Sequence, residues 1–564
     1  MDYRRTAWAD YPSAVIPGNY RGGPVLLPRV EYEENPKGDP DPKLVSCIRT
    51  KFEEKPRSAA DSTDLALIGP YCQEAVPTVG YHDQRQMLIT LKTRFLLPNA
   101  EDDDLNFNKK DSFDAGFWSY IHSIIYEQRT WNDWQRHQKK TVGRIMLHQR
   151  AHGVYRQIGE KLFGSHDGHL KTEKMLKIVC GVRGKHNERF ICAQRESENY
   201  LLGPYISSMQ HCLMKRCHEY LNEGGPPPLI LSTCGMTLTQ AGSVIKKVYD
   251  SGYTDIYCVD KSAFDRTITT QALEFEQSVY EAISPMNLQQ RAAFVSQRER
   301  TVRCTNGVKL GKIKGRRNSG DPNTTIGNTI LSCATARMTL RRLGFPDHVC
   351  ISVGDDLLIL LPPANRPRFV TDFAKDQKIN YGFKNKVRGP DAPWDVDFLS
   401  CRLLPALVNG SYTWTLSPLL AKCVPKVFYS VSPVARARPL DMLRTVNECM
   451  MYLFQADPIA MSLFKKVERF CGEGKVVTMT DADRTGILYL MNCHETREVR
   501  PHPDYHIWTS SRYNHDFASL KSVVMTHQVV PFHLPFHVIQ RDIPVDDEQR
   551  LQSGCGEDVG GKFL

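Results

Sequence analysis

Gly354-Asp355-Asp356 lies between two apolar runs, His348 to Val353 and Leu357 to Leu361. Glycine followed by an acid is hairpin chemistry, because glycine supplies the positive φ that a tight turn demands. A hairpin tip flanked by strands holds its carboxylates at the edge of a rigid sheet. Two like charges side by side are costly unless a cation neutralises them, and hard oxygen ligands point to Mg²⁺. Upstream, Ile256-Tyr257-Cys258-Val259 reads as a buried strand closed by Asp260, and Asp265 follows beyond the turn Lys261-Ser262-Ala263-Phe264. An acid ending a central strand beside a hairpin of acids has the makings of a two-metal site. A third element runs from Ser319-Gly320 through Asp321-Pro322-Asn323 to Thr324 and Asn328. Its Ser-Gly loop is free to approach a polymer backbone, and Thr324 and Asn328 lie at i and i+4 on one helix face.

The elements that must position these groups follow from periodicity. Phe275, Val279 and Ile283 recur at helix spacing after the first acidic strand. A second helix spans about Thr324 to Leu343, with Ile326, Ile330, Cys333 and Ala334 on one face and Gly344 and Pro346 just beyond. Helical patterns also run from about Ser112 to Phe163, where Trp118, Ile121, Ile124 and Ile125 make a packing face. Between Arg136 and Lys161, Lys139, Lys140, Arg144, Arg150 and Arg156 suit either a nucleic-acid groove or a solvated helix face. Seven prolines in residues 1–45 forbid long regular elements and predict an extended arm. Beyond about Pro405 the pattern is read as helical. One helix there is bounded by Asp457-Pro458 and by Gly472, and the polar, Gly-rich end from Asp546 is expected to fray.

At 564 residues the chain is long enough for several domains, and 41% hydrophobic with 24% charged residues marks an ordinary globular composition. A net charge of +10 suits a polyanionic partner without demonstrating one. Seventeen cysteines with no CxxC pair fit reduced thiols in a cytosolic compartment. His211, Cys212, Cys217 and His218 match no common zinc spacing. Neither a signal peptide nor a spanning helix is read from the sequence, the apolar stretch Val349 to Leu361 being short and broken by its acids.

In chain order, Asp260-x4-Asp265, Ser319-Gly320-x3-Thr324-x3-Asn328 and Gly354-Asp355-Asp356 resemble motifs A, B and C of RNA-dependent RNA polymerases from positive-strand RNA viruses. Lys185 to Arg189, Arg195 and the run Asn199 to Tyr205 look like motif F. Tyr381 to Lys386 falls at motif D, and Val396 to Arg402 resembles motif E. The string Ser-Gly-Asp-Pro-Asn-Thr and the Glu198-Asn199-Tyr200 context look tombusvirus-like first and nodavirus-like second.

The resemblance implies an α+β right-hand polymerase with an antiparallel palm sheet and a helical thumb. The expected divisions are an N-terminal arm and fingertips at 1–110, fingers at 111–250, and a palm at 251–405 with a finger insertion about 285–315. A thumb at 406–545 and a flexible tail at 546–564 complete the chain. It implies template-directed synthesis of RNA from NTPs by two-metal nucleotidyl transfer, replicating a viral RNA genome. Asp260, Asp355 and Asp356 would be catalytic and hold Mg²⁺, with Mn²⁺ as a substitute. Asp265, Ser319, Gly320, Thr324 and Asn328 would select the ribose and bind the NTP, and Lys185, Arg189 and Arg195 the triphosphate. Lys384, Lys386 or neither would be the general acid, and Phe398, Leu399 and Arg402 the primer grip. Expected partners are RNA template and nascent RNA, NTPs and other viral replication proteins. The expected location is the host cytoplasm, in complexes held at membranes by those partners. The rivals are a reverse transcriptase, against which Val353-Gly354 and Asp265 argue, and a catalytically inactive RNA-binding scaffold, against which the full set of acids argues.

Overall fold

The computed structural model describes residues 25–27, 40–49, 65–68, 75–78, 83–97, 105–107, 113–130, 163–171, 175–179, 182–183, 189–431, 435, 437–472, 474 and 499–513. The basic stretch 136–161, Lys185 and the tail 546–564 lie outside them.

Four antiparallel strands form a central sheet in the order Val349–Val353, Asp356–Leu361, Asp255–Lys261, Asn385–Asp391. Val349 to Ser352 and Leu357 to Leu361 are all buried, so these two strands have the continuous apolar character of a sheet covered on both faces. A two-residue turn joins them, because Val353 pairs with Asp356. Gly354 takes φ +66°, and a Cβ built there would meet nothing within 4 Å, so backbone conformation alone calls for glycine.

Helices Thr270–Ile283, Thr324–Arg342 and Phe369–Tyr381 share one contiguous core with this sheet. The expected helix from Thr324 is present, but it is buried on every side along its middle turns rather than on a single apolar stripe. Thr329 and Thr335 close their hydroxyls on the helix's own carbonyls, Thr335 Oγ1 donating to Leu331 O at 2.7 Å, so burial leaves them satisfied. Phe369 meets Tyr257 at 4.3 Å between ring centroids, and Phe113 stacks on Phe275 at 4.0 Å, drawing the N-terminal segment onto the same core.

A five-stranded lateral sheet has its own core beneath it and runs Ile48–Arg49, Lys309–Lys314, Glu299–Cys304, Ser165–Leu170, Phe190–Gln194. Its pairings are antiparallel except that Glu299–Cys304 runs parallel to Ser165–Leu170. Thus residues 299–314, between two central-sheet strands in sequence, complete a sheet begun far upstream. The N-terminal strand Leu65–Leu67 pairs with both Val25–Leu27 and Tyr429–Ser430, and Ala75–Thr78 pairs with Met175–Val179. Two successive pieces of the N-terminal region are therefore tied to parts of the chain far apart in sequence, at 175–179 and 429–430.

The expectation of helices from Pro405 onward needs correcting. Cys401–Val408 and Ser411–Pro418 form a full antiparallel hairpin, from the pair Cys401–Pro418 to the pair Val408–Ser411, and the edge set at 405 cuts its first strand. Asn409 and Gly410 turn it with φ of 49° and 82°, the doubly positive conformation of an Asn-Gly hairpin turn. Helix Leu238–Asp250 lies directly on its backbone, since a Cβ at Gly242 would come 2.6 Å from Thr415 Cα.

Helix Pro458–Cys471 forms where Asp457 and Gly472 bound it. Asp457 Oδ1 accepts from the backbone N–H groups of Ile459 and Ala460 at 3.0 Å each. Asp457 is fully buried; Arg402 donates to Oδ2 at 2.7 Å and the Tyr505 hydroxyl to Oδ1 at 2.6 Å. One carboxylate thus ties the hairpin, this helix and helix Tyr505–Tyr513 together. Replacing Asp457 with Ala takes the carboxylate from a buried guanidinium, a change that costs roughly 3–5 kcal/mol. A thermal melt of Asp457→Ala followed by near-UV circular dichroism should show an earlier loss of tertiary signal, and a melt matching wild type would refute this strut.

Candidate active site

Carrying the register Val259–Leu357 one step further sets Asp260 opposite Asp356, with Asp355 at the adjoining turn. Asp260 and Asp355 are exposed and Asp356 is half-buried. Burial first, then the charges of Asp355, Asp260 and Asp397, push the Asp356 carboxyl up to about 7. Asp397 is a fourth acid that the sequence reading quoted inside the motif E run without giving it a role. Beneath the acids lies Lys261, buried, with Nζ 5.3 Å from the Phe264 ring centroid. Burial draws its ammonium down to about 8, against the pull of neighbours that include Asp355 and Asp356.

The turn is gripped from the helix behind it. Gly354 N–H donates to Thr329 Oγ1 at 2.9 Å, and Ser332 Oγ donates to Gly354 O at 2.9 Å. Both partners come from helix Thr324–Arg342, so the same helix fixes the acid turn and carries Asn328. Among the described residues no three His, Cys, Asp or Glu side chains close into a finished metal cage. What the acids form is a mouth of excess negative charge, and the raised Asp356 carboxyl is the response that a divalent cation would reverse. The all-oxygen donor set fits such an ion.

Asn328 Nδ2 donates to Asp265 Oδ1 at 2.8 Å, so the two residues assigned to the ribose do meet. Burial raises the Asp265 carboxyl, while the Asn328 hydrogen bond works against the rise. Arg317, which the sequence reading missed, donates through Nε to Asn328 Oδ1 at 3.1 Å and pairs with Glu276. Ser319 is exposed; Gly320 donates its N–H to Cys192 O at 3.0 Å, and a Cβ there would come 2.6 Å from Ala193 Cβ. The loop therefore rests on strand Phe190–Gln194, where glycine permits the close approach. Thr324, expected in the nucleotide site, turns its hydroxyl back to the loop carbonyls of Asn318 and Asp321 at 2.7 and 2.9 Å. Its place is in closing the loop.

Arg189 and Arg195 flank the same strand, Arg189 exposed and Arg195 at the start of helix Glu196–Glu223. Lys185 lies outside the described residues. Lys386 is the sheet partner of Asp260, and the Lys384 carbonyl accepts Ser262 N–H at 2.8 Å. Both lysines are exposed, so both expected acids stand beside the first acidic strand.

The primer-grip assignment is corrected in part. Phe398 and Cys401 exchange backbone hydrogen bonds at 3.0 and 2.9 Å around Leu399 and Ser400, whose φ values are 57° and 56°. Left-handed backbone at two non-glycine residues is strained. Phe398 is 2% exposed and packs into the core, and Arg402 is 1% exposed and held by Asp457. Neither side chain reaches outward; Leu399, half-buried at the tip, is the one that remains.

Comparison with known proteins bears on the family of the chain. Residues 154–514 match a family model described as viral RNA dependent RNA polymerase. The chain is 25% identical over 382 residues to the RNA-directed RNA polymerase of Tobacco necrosis virus (strain A), covering 65% of this chain and 50% of that protein. It is 26% identical over 359 residues to the enzyme of Maize chlorotic mottle virus, covering 62% and 36%, and 28% identical over 252 residues to that of Cymbidium ringspot virus, covering 44% and 30%. The chain thus spans half or less of the length of these curated relatives in the matched regions.

A buried network underlies the loop. Asp321 Oδ2 meets Arg300 at 3.4 Å and Oδ1 meets His166 at 3.7 Å. Burial would raise the Asp321 carboxyl, but His166 and Arg300 outweigh it and hold it below the usual range. Glu198, fully buried, accepts Gly164 N–H at 3.1 Å and is pushed up to about 8, by burial first and by Asp321 second. A carboxyl raised in the folded state binds more protons folded than unfolded, so stability falls as pH rises from about 4.5 to about 8. Glu198→Gln removes that penalty. Its melting temperature should exceed wild type by several degrees at pH 8, with a smaller difference at pH 5, at about 2–4 °C per kcal/mol. Equal differences at the two pH values would show that Glu198 is not held protonated.

Proposed function

The chain belongs to the viral RNA-dependent RNA polymerases, and from that premise we propose that it joins NTPs into RNA on an RNA template by two-metal nucleotidyl transfer. The observation that carries the reading is a single helix, Thr324–Arg342, fixing the acid turn through Thr329 and Ser332 and the Asp265–Asn328 pair through Asn328. Charge and sugar recognition are thereby set in one frame.

In this reading the central sheet is the palm. The lateral sheet, with residues 285–315, belongs to the fingers, and the helices after Pro418 belong to the thumb. Asp260 and Asp355 hold the cations, Mg²⁺ or Mn²⁺, and Asp356 assists. When bound, such ions activate the primer 3′ hydroxyl and neutralise the leaving pyrophosphate. Arg189 and Arg195 donate to the triphosphate along the strand beneath the Ser319-Gly320 loop. Lys386, opposite Asp260, or Lys384, opposite Ser262, protonates the leaving group. Asp265 and Asn328 offer an acceptor and a donor to the 2′-hydroxyl, which can both donate and accept. A reverse transcriptase would need bulk where this hydrogen-bonded polar pair stands.

Template and nascent RNA, NTPs and other viral replication proteins are the partners that follow, with a site in the host cytoplasm at membranes reached through those proteins. Among the described residues no helix is long and apolar enough to cross a membrane.

The test is nucleotide incorporation on a primed RNA template with Mg²⁺. Asp260→Asn and Asp355→Asn, which keep shape and lose charge, should each fall below about one-hundredth of wild-type turnover, the scale of losing one principal electrostatic group. Their melting should be unimpaired, since removing a negative charge relieves repulsion. Near-wild-type extension by Asp355→Asn would end the reading.

A further inference from the structure

Asn328 can present either its oxygen or its nitrogen to the ribose, and what decides between them lies outside the motif residues. Arg317 Nε donates to Asn328 Oδ1, Asn328 Nδ2 donates to Asp265 Oδ1, and Arg317 N–H donates to the Asp265 carbonyl at 2.7 Å. One arginine therefore holds both members of the pair, one by side chain and the other by backbone. A guanidinium can only donate and an ionised carboxylate can only accept, so the amide between them has one consistent orientation. Flipping it would set nitrogen against nitrogen and oxygen against oxygen.

The guanidinium is itself fixed. Arg317 and Glu276 are buried and paired, and the remaining Glu276 oxygen accepts from Asn323 Nδ2 at 2.7 Å and from the Tyr280 hydroxyl at 2.8 Å. Asn323 in turn meets Gln297, whose Nε2 donates to Asn323 Oδ1 at 3.0 Å and to Gln194 Oε1 at 3.1 Å. Gly327 makes room for the pair, because a Cβ there would come 2.6 Å from Arg317 Nη2 and would collide with Glu276 Oε1.

Resting on the polymerase reading, we propose that Arg317, held by Glu276, is the positioning residue for sugar discrimination. By occupying Asn328 Oδ1 it turns the amide N–H edge toward Asp265. That leaves one N–H and the second Asp265 oxygen to offer a 2′-hydroxyl, a donor beside an acceptor. Without Arg317 only the Asp265 hydrogen bond orients the amide, and a site held from one side matches the hydroxyl less well. Its polar groups then lose the partner that distinguishes ribose from deoxyribose.

The experiment measures kcat/KM for one rNTP and for its 2′-deoxy and 3′-deoxy counterparts, using the full chain on one RNA template. Arg317→Lys keeps the charge and loses Nε. Its rNTP to 2′-dNTP ratio should fall about tenfold through lost rNTP efficiency, one charge-assisted hydrogen bond's effect, while the rNTP to 3′-dNTP ratio holds. Glu276→Gln, of the same shape without the charge, should lower the first ratio about threefold, and decides the matter if Arg317→Lys does not fold. In an Asn328→Ala background, Arg317→Lys should leave the ratio where Asn328→Ala put it. Equal losses on all three substrates would make Arg317 a structural prop and overturn the inference. Wild-type incorporation with unchanged ratios in both variants removes the positioning alone; a wild type that incorporates nothing removes the polymerase reading with it.

Discussion

Like charges forced to one end of an apolar sheet are the constraint on which the rest of the site depends. The register that buries Leu357 to Leu361 against Ile256 to Val259 leaves no freedom in where Asp356 and Asp260 fall, and the two-residue turn puts Asp355 beside them. The two-residue turn that pairs Val353 with Asp356 fixes the register of the hairpin, so the sheet cannot slide to separate its acids. Burial first and this repulsion second raise the Asp356 carboxyl. The buried Lys261 lies on the covered side and the exposed acids on the open side, so the protein supplies one positive charge from within and leaves the rest to come from solution.

Holding such a mouth steady requires rigid attachments, and these are polar as well as apolar. Thr329 and Ser332 grip the acid turn from helix Thr324–Arg342, whose entry loop is fastened in turn to the lateral sheet through Gly320 and Asp321. The lateral sheet is completed by residues 299–314, which leave the central layer and return to it. The segment that leads into the loop is thus a strand of the surface on which the loop sits. The lateral sheet and the acid turn are thus joined through one helix.

The central layer was legible in the sequence because its signals are local. Strand runs, the glycine turn, and the capping Asp457 with its Pro458 all appear where periodicity and turn chemistry put them. The hairpin from Cys401 to Pro418 was legible too: Asn409-Gly410 between apolar runs is a strong turn signal, and the expectation of helix overlooked it. Other features carry no local mark. Arg402 sits inside a motif-like string, yet its partner Asp457 is 55 residues away, and that pairing turns a supposed primer contact into a buried strut. Glu276 and Arg317 are 41 residues apart on different elements, and neither belongs to a recognisable string. Lys261 reads as part of a turn, and its burial follows only from where Phe264 and the neighbouring helix pack.

Two buried ion pairs close to the site, Arg300–Asp321 and Arg317–Glu276, invite an energetic explanation that they do not support. Removing two charges from water offsets much of their mutual attraction, and a well-packed apolar pair of the same volume is often as stable. What an apolar pair cannot do is direct a neighbouring polar group. Arg300 also donates to the carbonyl oxygens of Gly315 and Arg316, one of them at 2.9 Å, and so holds the backbone that leads into the loop. The Arg317 guanidinium does the same for the Asn328 amide, while its backbone N–H holds the Asp265 carbonyl. In both cases the carboxylate fixes the guanidinium and the guanidinium fixes acceptors that would otherwise choose among several partners. What these pairs add beyond a well-packed apolar pair is therefore orientation of the groups around the loop and the Asp265–Asn328 pair, even though breaking either pair by losing one partner would also destabilise the fold.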